Sequence, residues 1–156
     1  MSMSTHMRRL KTEGIILHRA EVYTGDDYHF LIMRDGTVKE LLDHDLVAFH
    51  ACRYNQNTVA IAIFGDFASK EPGLHWHPTD IQLARTQQYI TYACTLYPSI
   101  KWISGHSALG PSGTAIPKKL VVGHTCPGEN FPLDEMIRNS GLAPLPPLKK
   151  SPTLVA

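Results

Sequence analysis

The run TVAIAIFGDF at residues 58–67 constrains this chain more than any other feature. Side chains of an extended strand point alternately to two faces, and here both sets are apolar, so a strand built from it needs cover on both sides. A central strand in a layered fold meets that need. The sequence supplies its neighbours. GIILHRA at 14–20 reads as a short buried strand ending at His18, with β-branched Ile15 and Ile16 side by side. YHFLIMRDGTVKELL at 28–42 reads as strand, turn and strand, because Asp35-Gly36 between two apolar segments is a hairpin signal.

A helix follows. Thr79 with Gln82 three residues on forms a capping box, and Ile81, Leu83, Ala84, Ile90, Ala93, Cys94 and Tyr97 make an apolar side that stops at Pro98. IKWIS at 100–104 is then a short strand, so the helix crosses the sheet and returns to a parallel neighbour. A second helix is expected over 132–139, with Pro132 in its first turn, acidic Asp134 and Glu135 early, and Gly141 beyond its end. The order predicts an α/β fold: a central mixed β-sheet flanked by helices.

Residues 105–123 are rich in Gly, Pro and Ser, and a loop of that length points to function or mobility as its reason. The tail APLPPLKKSPTLVA reads as extended. With 156 residues the chain fits one domain, placed at 10–141, with the Pro-rich tail at 142–156.

Fifteen basic residues against fourteen acidic give a net charge of +1, which argues against nucleic-acid binding by phosphate neutralisation. No apolar stretch is long enough for a membrane span. The start, MSMSTHMRRLKTEG, has no apolar run behind its basic residues, so no cleavable secretory signal is expected. Three cysteines without a C-x-x-C spacing argue against a disulfide scaffold.

Histidine and cysteine carry the chemical information. His18 ends the first strand, His106 follows the strand before the long loop, and VVGHTCPG at 121–128 sets His124 and Cys126 two apart in a stiff turn. Ends of adjacent strands converge, so His18, His106 and Cys126 can meet as two imidazoles and a thiolate, a catalytic type of zinc site with one position open. Their spacing is no motif, and the residues alone leave open a core role for His18, a loop role for His106, and His124 in place of Cys126.

The ordered set IILHRA, YHFLIMRDGTV, HACRYNQNTVAIAIFGDF, GHSALGP and GHTCPG resembles the zinc-dependent N-acetylmuramoyl-L-alanine amidases, which share a fold with peptidoglycan recognition proteins and amidase-type phage lysozymes. The resemblance implies one catalytic zinc on His18, His106 and Cys126. It implies Tyr28 as catalytic tyrosine and His124 at a position where relatives carry lysine or threonine, facing the substrate. His50, Arg53 and Asn55 become candidate contacts to peptidoglycan or muropeptides. The implied reaction is hydrolysis of the amide between N-acetylmuramic acid and L-alanine. The alternative is a binding module on the same fold. Without a signal, such a protein is made in the cytoplasm and acts on the cell wall after release or translocation, or on wall fragments inside the cell.

Other histidines receive structural readings. His29 points away from Tyr28 in a regular strand and is expected to be a structural partner. His75 and His77 flank Trp76 ahead of the helix, where a loop-pinning role is preferred to a second metal site. The connection from His18 to Tyr28 is short, so one groove wall of the relatives is expected to be low.

Overall fold

A computed structural model describes residues 7–23, 25–67, 77–106 and 126–144, apart from the side chains of Cys52 and Arg53. Its elements are β1 (Gly14–Ala20), β2 (Phe30–Ile32), β3 (Val38–Glu40), a 3-10 helix (Cys52–Asn57), β4 (Thr58–Phe64), α1 (Asp80–Leu96), β5 (Trp102–Gly105), α2 (Leu133–Ser140) and β6 (Ala143–Pro144). They form one mixed sheet in the order β3-β2-β4-β1-β5-β6. β4 is central, pairing parallel with β1 and with β2, and β1 pairs parallel with β5. Among the strands of the described residues, the β2–β3 pair, joined by the tight turn, is the antiparallel one.

Local chemistry explains several of these boundaries. In the β2–β3 turn, Gly36 adopts φ 87°, and a Cβ there would lie 2.5 Å from Ile81 Cγ1, so glycine satisfies both the turn and the contact. Asp35 accepts a hydrogen bond from the Thr37 N–H at 2.9 Å, which closes the hairpin as anticipated. Thr79 and Gln82 form the capping box of α1. Gly141 ends α2 in the left-handed conformation at φ 73°.

The two faces of the sheet differ. One carries Ile15, Leu17, Ile61, Ile63 and Ile103 against Ile90 and Ala93 of α1 and Met136 of α2, the main apolar core. Both α-helices of the described residues pack here. Full burial of a side chain such as Ile61 stabilises the fold by roughly 1.5–3 kcal/mol. The other face carries Ile16, Trp102 and Ala51, with Tyr54 of the 3-10 helix set edge-on to Trp102 at 5.6 Å. There the cover is a short helix and loop, and buried polar side chains gather beneath it.

The inward face of α1 differs from the sequence expectation. Ile81, assigned to the apolar side, is 41% exposed and sits over the Gly36 turn, whereas Gln82 is fully buried. The Gln82 amide donates to the carbonyls of Ile32 and Phe64 and accepts from the Thr79 N–H and from Arg34. A buried amide with every group partnered ties the helix start to the ends of β2 and β4. β1 also runs two residues past His18, to Ala20.

Candidate metal centre and its hydrogen-bonded support

His18 lies near the C-terminal end of β1, opposite Ala62 of β4, on the face away from the α-helices. It is 1% exposed. His106 follows the last residue of β5, and the two rings stand 4.7 Å apart, centre to centre. Cys126 opens the turn before α2 and is buried. Close packing brings that turn to the strand end: a Cβ on Gly105 would lie 2.9 Å from Pro127 Cδ and 3.2 Å from the Cys126 carbonyl. Glycine at 105 therefore permits the approach.

The ligand atoms of His18, His106 and Cys126 all lie within 4.8 Å of one another. Three donors on a tetrahedral zinc sit about 3.3–3.6 Å apart, so small side-chain adjustments bring this set onto one ion. The donor chemistry fits as well. Burial raises the Cys126 thiol pKa, against the lowering effect of the Arg19 backbone N–H, which donates to Sγ at 3.3 Å, and of the Arg19 charge. Such a thiol needs a cation beside it to ionise fully, and the N–H donor is already aimed at the resulting charge. The same raised pKa disfavours Cys126 as a metal-free nucleophile.

Tyr28 is half-buried, with its ring 5.0 Å from that of His18. Its pKa is pushed up to about 12, first by burial and then by the charges of Cys126 and Asp27, with Arg19 opposing. At neutral pH it is a hydrogen-bond donor, not a base. Glu21 has a half-exposed side chain 3.6 Å from the Arg19 guanidinium, which also reaches Asp66 at 3.3 Å.

His50 has both ring nitrogens engaged within the protein. Nδ1 is 2.8 Å from His18 Nε2, and Nε2 is 2.9 Å from the Thr58 hydroxyl. Burial, reinforced by His29, His106 and Arg9, lowers its pKa well below the ordinary imidazole value, so the ring is neutral. Asn55 Oδ1 accepts from the backbone N–H groups of His50 and Ala51, at 2.9 and 2.7 Å. Sequence reasoning named His50 and Asn55 as candidate substrate contacts, with a packing role open to His50 and an ordinary loop role open to Asn55, and it did not single out Thr58. The signal was long-range, because nothing local in HACRYNQNT says which atoms face His18.

His29 is fully buried and structural, but it precedes β2 and its ring lies 6.4 Å from that of His50, on the side of His18 and Tyr28 and not on the opposite face that a regular strand would give it. Nδ1 accepts from the Ala60 N–H at 2.9 Å, and Nε2 donates to the Leu46 carbonyl at 2.7 Å. Asp43, His44 and Asp45 also meet a metal-like spacing. The Tyr97 hydroxyl joins them by accepting from His44 Nδ1 and donating to Asp45, and Arg8 pairs with Asp45 at 3.4 Å. This is a hydrogen-bonded corner near the surface. Cys94 and Cys126 are free thiols. His124, the 107–125 segment, His75, Trp76 and the chain beyond Pro144 lie outside the described residues, as does the Arg53 side chain. No helix among the described residues is long and apolar enough to cross a membrane.

Comparison with known proteins adds three findings. Residues 4–129 match the N-acetylmuramoyl-L-alanine amidase family. The endolysin of Klebsiella phage KP32 is 33% identical over 70 residues, 44% of this chain and 46% of that protein; the chain spans about half the length of the curated relatives it matches, or less. Among solved structures, N-acetylmuramoyl-L-alanine amidase LysC from Clostridium intestinale superposes with a TM-score of 0.67 at 22% identity, over 89% of this chain and 91% of that one. Drosophila peptidoglycan recognition protein SA gives 0.61 at 15% identity, over 83% of this chain and 80% of that one. The fold is thus shared by amidases and recognition proteins.

Proposed function

Because the chain belongs to the N-acetylmuramoyl-L-alanine amidase family, we propose that it hydrolyses, with zinc, the amide joining N-acetylmuramic acid to the L-alanine of a peptidoglycan stem peptide. The observation that carries this reading is the convergence of His18, His106 and Cys126 from three separate segments onto one point. Zinc held by these residues would supply Lewis-acid polarisation of the scissile carbonyl and acidify the attacking water.

The chain's own groups account for the rest. Two neutral imidazoles and one thiolate leave net positive charge at the centre, which favours negative charge growing on the carbonyl oxygen. Tyr28, held in its protonated form, donates a hydrogen bond toward that oxygen or orients the water. His124 is assigned from its sequence position to the proton that the departing amine needs. Arg53 and Asn55 stay with the substrate side of the reading, Asn55 also bracing its own loop. Phage endolysins among the relatives support peptidoglycan as the substrate and the cell wall as the place of action.

A second reading, a peptidoglycan-binding module without hydrolysis, is favoured by the likeness to recognition proteins. The buried cysteine with an N–H donor aimed at its sulfur supports the hydrolase instead. Digestion of purified peptidoglycan, followed by mass spectrometry, separates them. Stem peptides with a new N-terminal alanine, released with zinc and suppressed by a chelator, are expected. Binding to the wall without any released peptide would establish the module.

A further inference from the structure

Resting on the zinc site read above, we propose that His50 is a positioning residue: a hydrogen-bond relay through it fixes the tautomer of His18 so that Nδ1 is the nitrogen offered to zinc. The relay starts at a backbone carbonyl. Thr58 Oγ1 lies 2.6 Å from the Tyr54 carbonyl, which can only accept, so the single hydroxyl proton points there. With that proton committed, Oγ1 must accept from His50 Nε2 at 2.9 Å, and His50 carries its hydrogen on Nε2.

Nδ1 of the neutral His50 ring is then an acceptor. The group facing it at 2.8 Å is His18 Nε2, which must donate. A neutral His18 with its hydrogen on Nε2 keeps its lone pair on Nδ1. The reverse arrangement would require a second proton on His50, and a charged imidazolium against a ligand of a dication is disfavoured. Each orientation therefore follows from the one before it, back to a carbonyl that has no choice.

The supports of this relay are built in. Thr58 begins β4 and stands opposite Gly14, on the same face as His18. Asn55 fixes the backbone from which His50 reaches in, by accepting from two consecutive N–H groups. Without such a partner a ligand histidine samples both tautomers and more than one ring orientation, and second partners of this kind are worth about 10–100-fold in metal affinity. His50 thus acts through His18 and not on the reacting atoms.

The test uses the full chain and three variants, His50→Leu, His50→Asn and Thr58→Val. Zinc affinity is read by competition with a chromophoric chelator. The protonated ring nitrogen is read from long-range nitrogen–proton NMR correlations of the histidines, in metal-free and zinc-loaded protein. In wild type, His18 is expected as the Nε2–H tautomer in both states. His50→Leu, which removes the acceptor, is expected to weaken zinc binding about tenfold or more and to let His18 populate both tautomers. His50→Asn, whose side-chain oxygen sits where Nδ1 was, should restore affinity to within about threefold of wild type. If His50→Leu does not fold, Thr58→Val keeps the ring and removes only the hydroxyl, and should release the His50 tautomer in the same spectra.

A folded His50→Leu protein with wild-type zinc affinity would overturn the inference, as would His18 carrying its proton on Nδ1. A wild type that binds no zinc would instead sink the metal-site reading, and the relay's purpose with it. The spectra of metal-free protein tell the two failures apart.

Discussion

The two faces of the sheet share strands but not chemistry. On the helix side, Ile15, Leu17, Ile61 and Ile63 meet Ile90 and Met136 in an apolar layer. On the other side, His18, His29, Thr58 and Ser104 are buried among a few small apolar clusters and depend on hydrogen bonds to tolerate it. Alternation along one strand supplies both, since Leu17 and His18 are adjacent and point opposite ways. The difference teaches that the main apolar core and the candidate site occupy different layers, so each is expected to be perturbed with limited effect on the other.

The strongest way to break that comparison is Cys126→Ser. It removes a candidate ligand from the polar face without touching the apolar layer. Peptidoglycan-releasing activity is expected to fall about 10³-fold or more, with thermal stability in chelator close to wild type. A large loss of stability would mean that the two faces are not separable. Ile61→Ala is the mirror experiment. It should cost about 2–5 kcal/mol in urea unfolding, while activity per folded molecule holds.

The polar face should also reveal itself through pH. His29 has its pKa lowered to about 4 from 6.5, first by burial, with Arg9 and His44 lowering it further and the Leu46 carbonyl and Asp43 opposing. A depressed folded pKa means that the unfolded chain binds the extra proton. Its contribution is therefore present above pH 6.5 and is lost as pH falls toward 4, a change on the order of 3 kcal/mol. Urea midpoints measured in chelator, so that zinc release plays no part, should fall across that window. His29→Gln should flatten the profile, and an unchanged slope would exclude His29 as the source.

The mildest probe is Tyr28→Phe, which changes one hydroxyl. Turnover is expected to slow about 10²-fold, with zinc affinity unchanged, because the role proposed for the hydroxyl is in the transition state and not in the ligand shell. Loss of zinc in that variant would move Tyr28 from the reaction to the metal's support.

Much of the frame was legible because its signals are local. TVAIAIF announced a strand covered on both sides, Asp35-Gly36 the hairpin, Thr79 with Gln82 the helix start, and Gly141 the helix stop. Each depends on residues a few positions apart, where backbone geometry leaves little freedom. The three metal-ligand candidates stood at strand ends and in a stiff turn, but their own spacing carries no pattern, and likeness to a family was needed to select them over the alternatives.

What the chain alone determined, then, is the order of strands and helices and the turn and cap positions at Gly36, Thr79 and Gly141, because turn chemistry and capping are short-range physics. Only the tertiary structure decided that Gln82 turns inward while Ile81 turns out, that Arg19 offers its N–H to Cys126, and that His50 stands between Thr58 and His18. Those choices depend on which atoms from distant segments arrive within 3.5 Å of each other, and hydrogen bonds are directional at that range. No local rule encodes them.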